Sequence, residues 1–575
     1  MKKMKRVFAT VLCLALVLSL AQTAGVEAAK KPKLNKKKVN VTVGKTKTVK
    51  VKNGVKKAKV TWKTSDKSVA VIAKKSKAGN KAFAKIKGVK AGNAKVTAVY
   101  KLGKTKKRLV CKVNVKDNQS NITPATDAPT SVPTAAPTAV PTPTVPPSAE
   151  MQAFLDTITI PYMEEVRGHI TLPETIDGAE VVWTSSNTDV ITDQEVDGKA
   201  PGFVTRGAED QVVKLTAKVT KDGETAYKEI AVNVLKAPEA LTEDDFVGYL
   251  FGSFTGTERV ASDEQIYFAV SEDGYFYKDL NDKQPVLTST IGECGVRDPY
   301  ICRSAEGDRF FLIATDLSIY SRGGWGNTRA SVDGSHYLIF WESTDLVNWG
   351  EARMIEVACE NAGMAWAPEM IYNDKTGEYV IFFASSLVDA NGNYTKNSAI
   401  YCTTTRDFVN FSETELYIDN MDGRDIIDTT MLKVGDYYYR ASKDGENGDP
   451  NGGIRVDRSD DIFGEWEKVL DLDELGFNRD MTNRTLEGPE LFKFNKRDWT
   501  DPDTPLYGLF SDRYMEGAGY LPLTTTDFED TKNARGSWKI PGNGEYSFDA
   551  LKKRHGTILN ITQEELDNLN AAYGK

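Results

Sequence analysis

The sequence predicts an all-β protein in which two β-sandwich domains precede a C-terminal five-bladed β-propeller. Three observations predict it. A short Val-x-Trp motif occurs twice, each time followed by Val-rich alternating stretches. A [Ser/Thr]-x-Asp turn with an aromatic behind it occurs five times at near-regular spacing. A proline-rich segment separates the two Trp motifs. The 575 residues hold 74 Lys and Arg against 81 Asp and Glu, with 10% aromatics, which excludes a disordered, collagenous or multi-spanning membrane protein.

Residues 1–29 read as a signal peptide. Lys2, Lys3, Lys5 and Arg6 precede the apolar run Val7–Leu20, and small residues follow at Ala24, Ala28 and Ala29. That run is too short to span a bilayer comfortably. The chain is therefore expected to be secreted and extracellular, with no membrane span. Residues 30–117 form a basic module. From Lys30 to Lys116 there are 30 Lys and Arg and one acid, Asp66, a net charge of +29. The residues after Lys116 carry −39, although the whole chain is only at −7. Residues 118–148 contain eight of the 22 prolines and read as an extended spacer without a core. Residues 149–237 form the second sandwich.

The two sandwiches look related. Val60-Thr-Trp62-Lys-Thr-Ser65-Asp66 recurs as Val181-Val-Trp183-Thr-Ser-Ser186-Asn187. Closing strands follow at Leu109–Val115 and Ile230–Leu235, in the manner of a seven-stranded sandwich. The first module resembles bacterial Ig-like domains of group 2; the second resembles the Ig-like domains found before secreted glycosidases. Five cysteines remain after residue 29, widely spaced and without a C-x-x-C, which excludes a disulfide framework and a zinc site.

Residues 238–575 carry the repeat. Asp273, Asp345, Asp407, Asp461 and Asp527 close the five turns, each followed by Phe276, Trp349, Phe411, Trp466 or Trp538. A period of ~54–72 residues suits one four-stranded blade with variable loops. The innermost strands of a propeller converge on one funnel, so the residues opening them meet there. These openings read Asp298-Pro-Tyr-Ile301, Ala367-Pro-Glu369-Met370, Asp428-Thr-Thr-Met431, Glu487-Gly-Pro-Glu490-Leu491 and His555-Gly-Thr-Ile558. Four of the five bring a carboxylate to the axis. Each acid taken alone could equally cap turn amides; the set together points to chemistry.

Gly295-Val-Arg-Asp298-Pro-Tyr-Ile301, Trp366-Ala-Pro-Glu369, Ile426-Ile-Asp428, Leu486-Glu487-Gly-Pro-Glu490 and Arg554-His555-Gly556 together resemble glycoside hydrolase family 43. The resemblance covers residues 245–562. It implies an inverting glycosidase with Asp298 as general base, Asp428 tuning and orienting the acid, and Glu487 as general acid. Asp428 is followed by Thr429 where the family often has Pro, and Asp422 and Asp425 stand nearby as alternatives. Inversion needs carboxyl groups on opposite walls, roughly 6.5–9.5 Å apart. Trp366, Glu369, Arg513 and Trp325 are candidate substrate-binding residues, with Tyr514 beside them. His555 either closes the last blade as a core histidine or, as the resemblance implies, stands near a hydrated structural calcium ion. No cofactor is expected for the chemistry itself. Fructan-cleaving enzymes also carry Arg-Asp-Pro, but their Trp-x-Asn-Asp-Pro-Asn and Glu-Cys-Pro motifs are absent here.

The expected function is release of arabinose from arabinan or arabinoxylan of plant cell walls by an α-L-arabinofuranosidase. A β-xylosidase or an endo-α-1,5-arabinanase is the alternative within the family, and a non-catalytic glycan-binding adhesin the alternative outside it. For the basic module the expected partner is an anionic polymer, cell-wall teichoic acid or pectin, against a merely solvated lysine surface. Nucleic acid is not expected, because few aromatics stand between the lysines.

Overall fold

Alternation of valine with lysine builds the first unit. In Lys38–Thr42, Thr46–Lys52 and Lys59–Thr64 the valines and Trp62 point inward and the lysines outward. The computed structural model describes residues 32–116, apart from 44, 54, 66, 68, 79–80 and 103–104, and residues 146–574, apart from 420–423, 446–452, 476–485 and 532–534. The expected signal peptide, residues 118–145 of the spacer, Asp66 and Asp422 lie outside the described residues. Residues 32–116 form two four-stranded sheets, and Lys38–Thr42 pairs in parallel with Thr105–Lys116 in one of them. Val49, Val60, Trp62, Ile86, Val96 and Val113 fill the space between.

The second compact unit contains everything from residue 146 onward. Its first domain departs from expectation. Thr175–Ile176, Ala179–Ser185, Gln211–Lys221 and Glu224–Val234 make one four-stranded sheet. Among the described residues, the opposite layer of the sandwich is reduced to isolated bridges such as Ile191↔Val204 and Val196↔Lys199. The helix α1, Ala149–Thr157, covers part of the exposed core with Met151, Phe154 and Leu155. Its N-cap is Ser148, whose hydroxyl accepts from the Met151 N–H.

Residues 246–562 form five antiparallel sheets. Sheets II to V open with Val296–Arg303, Trp366–Asn373, Ile426–Val434 and Glu487–Lys493. Sheet I is assembled from both ends of the region, because Arg554–Thr562 pairs with Phe246–Phe254 and becomes its lead strand. The lead strands neighbour one another in the cyclic order I, II, III, IV, V. Every sequence-predicted turn falls at the end of a third strand. There the Ser or Thr hydroxyl accepts from the Asp amide, and the Asp carboxylate accepts from amides beyond it, as at Ser343 with Asp345 and Thr405 with Asp407.

The lead strands share a local irregularity. Each slips register near its start: between Arg297 and Tyr300, Trp366 and Glu369, Ile427 and Thr429, Glu487 and Glu490. In sheet I the slip likewise lies on the lead strand, between Arg554 and Thr557, which face Phe254 and Gly252. Asp298, Ala367, Asp428 and Gly488 occupy the same bulge position with φ of 48°, 48°, 50° and 51°. A lead strand is an edge, with N–H groups unpaired on its free side. Side chains of the neighbouring sheet satisfy them. Asp428 Oδ2 accepts from the Gly488 N–H (3.0 Å), Thr430 Oγ1 from the Leu491 N–H (3.2 Å), and Glu490 Oε1 from the Ile558 N–H (2.7 Å).

The first domain of this unit is docked firmly on sheets II and III. The Arg206 guanidinium, 6% exposed, donates to Asp308 Oδ2 (2.8 Å) and to the carbonyls of Arg167 and Leu235. Tyr162 donates to Glu342 (3.0 Å), His169 Nε2 meets the Tyr372 hydroxyl (3.0 Å), and Arg406 donates to the carbonyls of Ala200 and Pro201. Burial, with Arg406 and Lys199 nearby, lowers His169 to about 3, so this interface histidine stays neutral.

Candidate active site

The bulges decide which side chains reach the cavity that the lead strands share. An αL residue at the start of an edge strand turns the backbone, so the side chain at the bulge and the one before it face one shared cavity. These paired positions hold Arg297 and Asp298, Trp366 and Ala367, Ile427 and Asp428, and then Glu487 and Gly488. In sheet I they are Arg554 and His555. All of these except Gly488 line one cavity of about 730 Å³. Gly488 is required there. A Cβ on it would stand 2.8–2.9 Å from the ring and Cβ of His555.

The structure brings Asp298, Asp428, Glu487 and His555 together. His555 Nδ1 lies 3.5 Å from Asp298 Oδ1 and 3.8 Å from Asp428 Oδ1. Thr315 donates its hydroxyl to Asp298 Oδ2 (2.8 Å) and accepts the Ala367 N–H (2.8 Å). Arg554 forks between Glu487 and the fully buried Asp512. Arg297, under the Trp325 ring, is held by Glu258 (2.9 Å) and Glu264 (2.7 Å).

These neighbours pull the carboxyl groups apart in acidity. Burial pushes Asp298 up, but the hydrogen bond and charge of His555, with Arg297 and Thr315, hold it below the usual aspartate value. Burial raises Asp428 further than His555 lowers it, and the charge on Asp298 adds to the rise. Burial, then Asp428, pushes Glu487 up to about 8 in spite of Arg554. Burial works against a charge on His555, yet Asp428, Asp298 and Glu487 raise it to about 9. At neutral pH the cavity therefore presents an ionised Asp298, a protonated Glu487 and an imidazolium between Asp298 and Asp428.

Trp366 and Trp325 line the cavity edge to face, with ring centroids 6.1 Å apart, and Trp325 is half exposed. Glu369 is placed elsewhere. It is 4% exposed and lies outside the cavity lining, accepting from the Thr430 hydroxyl and the Met431 N–H of the next sheet, so it stitches sheets III and IV and does not reach a sugar. Arg513 is also displaced, since its guanidinium braces its own loop through the carbonyls of Ala518, Gly519 and Tyr520. Among the described residues no three His, Cys, Asp or Glu side chains gather as a metal site, and Nδ1 of His555 faces two carboxylates. Asp425 lines the wall, where its Oδ1 accepts from the Ser398 N–H (2.6 Å). Sequence reasoning passed over Arg554, Lys443, Glu258 and Thr315. Only Arg554 carried a signal, standing beside His555 in the closing motif.

Comparison with known proteins gives two domain matches. A probable glycosyl hydrolase domain related to glycoside hydrolase family 43 matches residues 244–567, and an atrophied bacterial Ig domain matches residues 153–237. The latter name agrees with the missing sheet. The chain is similar to an α-L-arabinofuranosidase of Bifidobacterium longum subsp. longum, 30% identical over 88% of this chain and 49% of that protein. It thus spans about half the length of that curated relative. Among solved structures it is similar to α-L-arabinofuranosidase from Lactobacillus brevis, 17% identical over 45% of this chain and 74% of that one, with a TM-score of 0.29. It is also similar to the α-L-arabinanase of Cellvibrio cellulosa complexed with arabinohexaose, 14% identical over 54% and 95%, with a TM-score of 0.32.

Proposed function

This chain belongs to the probable glycosyl hydrolase family related to glycoside hydrolase family 43, and on that premise we propose that it is an inverting, exported α-L-arabinofuranosidase. Its five sheets are the blades of a propeller whose funnel is the cavity around Asp298. The observation that carries the mechanism is the convergence of Asp298, Asp428, Glu487 and His555 on that one cavity, where their neighbours lower Asp298 and raise Glu487. Asp298 takes the proton of a water attacking the anomeric carbon. Glu487 gives its own proton to the departing glycosidic oxygen, so one proton is gained and one lost per turnover. Asp428 keeps Glu487 protonated through its charge and fixes the bulge at Gly488. The name of the Bifidobacterium relative supports arabinose as the released sugar.

Replacing Asp298 by Asn, Asp428 by Asn or Glu487 by Gln is expected to lower kcat about 10²–10⁴-fold on an unactivated arabinoside, with the fold kept. Product NMR should show the inverted anomer. Near-wild-type turnover by a variant removes that residue from the catalytic set, and a retained anomer removes the mechanism. A panel of nitrophenyl arabinofuranoside, nitrophenyl xyloside and debranched arabinan decides between arabinofuranosidase, β-xylosidase and endo-arabinanase. Binding without turnover on all three would mark a glycan-binding adhesin.

A further inference from the structure

The first unit carries a surface that its own stability does not call for. Strand register places Lys38 directly opposite Lys112 and Lys112 opposite Lys95, so three exposed lysines stand in one row across three adjacent strands. Lys101 and Lys59 form a second such pair on the same face. Like charges directly opposite one another in a sheet are destabilising. The module has a single acid to set against 30 bases, so almost none of these lysines has a carboxylate of its own module to pair with. The missing counter-charge must come from outside it.

We propose that this lysine face is a binding site for a linear acidic polysaccharide of the polyuronate class, laid across the strands. Neighbouring strands are ~4.8 Å apart. A row of lysines therefore offers one ammonium per step comparable to one sugar ring of an extended chain. The composition of the face separates this ligand from others. Of the module's 30 bases only Arg108 is an arginine, so the face reads charge density and lacks the planar forks that select individual phosphates or carboxylates. Its aromatics are Trp62, Phe83 and Tyr100; the first and last are buried and Phe83 is partly so. No stacking platform is left for nucleic-acid bases or for the rings of a neutral glycan. Uronate is preferred to phosphodiester because the same chain carries a glycosidase domain, so this choice, unlike the charge argument, rests on the function proposed above.

The test is retention of the full chain on immobilised polygalacturonate, neutral dextran and a poly(glycerol phosphate), each at low and rising salt. Polygalacturonate should retain the chain at low salt, with affinity falling at least tenfold between ~50 and ~200 mM salt as counterions are released on binding. The triple variant Lys38→Gln, Lys95→Gln, Lys112→Gln should lose at least tenfold in affinity, with turnover of a nitrophenyl glycoside unchanged. Flow-through on polygalacturonate at low salt, equal retention on neutral dextran, or tighter retention on the phosphodiester overturns the proposal. Turnover is read separately, so failure of the arabinofuranosidase reading and failure of this site are distinguishable. The salt dependence decides the question even if the triple variant does not fold.

Discussion

Asp298 and Glu487 are both carboxyl groups in one cavity, and their neighbours alone set them apart. Asp298 faces His555 and Arg297; Glu487 faces Asp428 and shares Arg554 with Asp512. A raised acid works while protonated, so activity should fall as pH rises through about 8, where Glu487 loses its proton. A lowered base works while ionised, so the acidic limb should lie below the ordinary aspartate range. Glu487→Gln should remove the basic limb on a substrate whose leaving group needs no protonation; a limb that persists there belongs to another group. Arg554→Met strands the buried Asp512 charge, at a cost of about 3–5 kcal/mol in denaturant unfolding. Arg554 also lowers Glu487, so the same variant should move the basic limb upward, a shift that a purely structural arginine would not produce. The sequence made Asp298, Asp428 and Glu487 visible because acids opening apolar strands have no place in an amphipathic pattern. It could not show the partners that set their acidity, since Thr315 and Lys443 lie in other strands without a motif of their own.

At the scale of elements, the αL bulge is the device that turns an edge strand into a wall of the site. Gly488→Ala tests it directly. An L-residue at φ 51° costs roughly 1–2 kcal/mol, and the added Cβ presses on His555. Lower thermal stability together with lower kcat is expected, and unchanged activity would mean that His555 position does not matter. The same geometry explains one misread residue. Glu369 follows the bulge by two positions, as Thr430 and Glu490 do, and all three accept an N–H from the next lead strand. A sequence displays a carboxylate but not the unpaired amide waiting across a sheet boundary, so Glu369 looked like a sugar ligand. The turns were readable because Ser or Thr and Asp act locally, within a few residues. The missing layer of the domain over 149–237 was not, since valine alternation marks strands without saying whether a second sheet covers them.

At the scale of the molecule, the Ig-like domain over 149–237 is a brace, with Arg206, Tyr162 and His169 engaged at sheets II and III. Calorimetry should show it melting together with the glycosidase domain in one transition. Arg206→Ala should lower that transition, because Asp308 and three carbonyls lose their donor. A separate low-temperature peak for the brace would contradict this. The closure of sheet I reaches further still. Its lead strand, Arg554–Thr562, is the last strand of the fold, and it brings both Arg554 and His555. A ribosome that stops short of it releases a chain whose first sheet is open and whose three acids face one another without these two cations. Such a fragment should be inactive, and turnover should appear only once Arg554–Thr562 has been made and has paired with Phe246–Phe254.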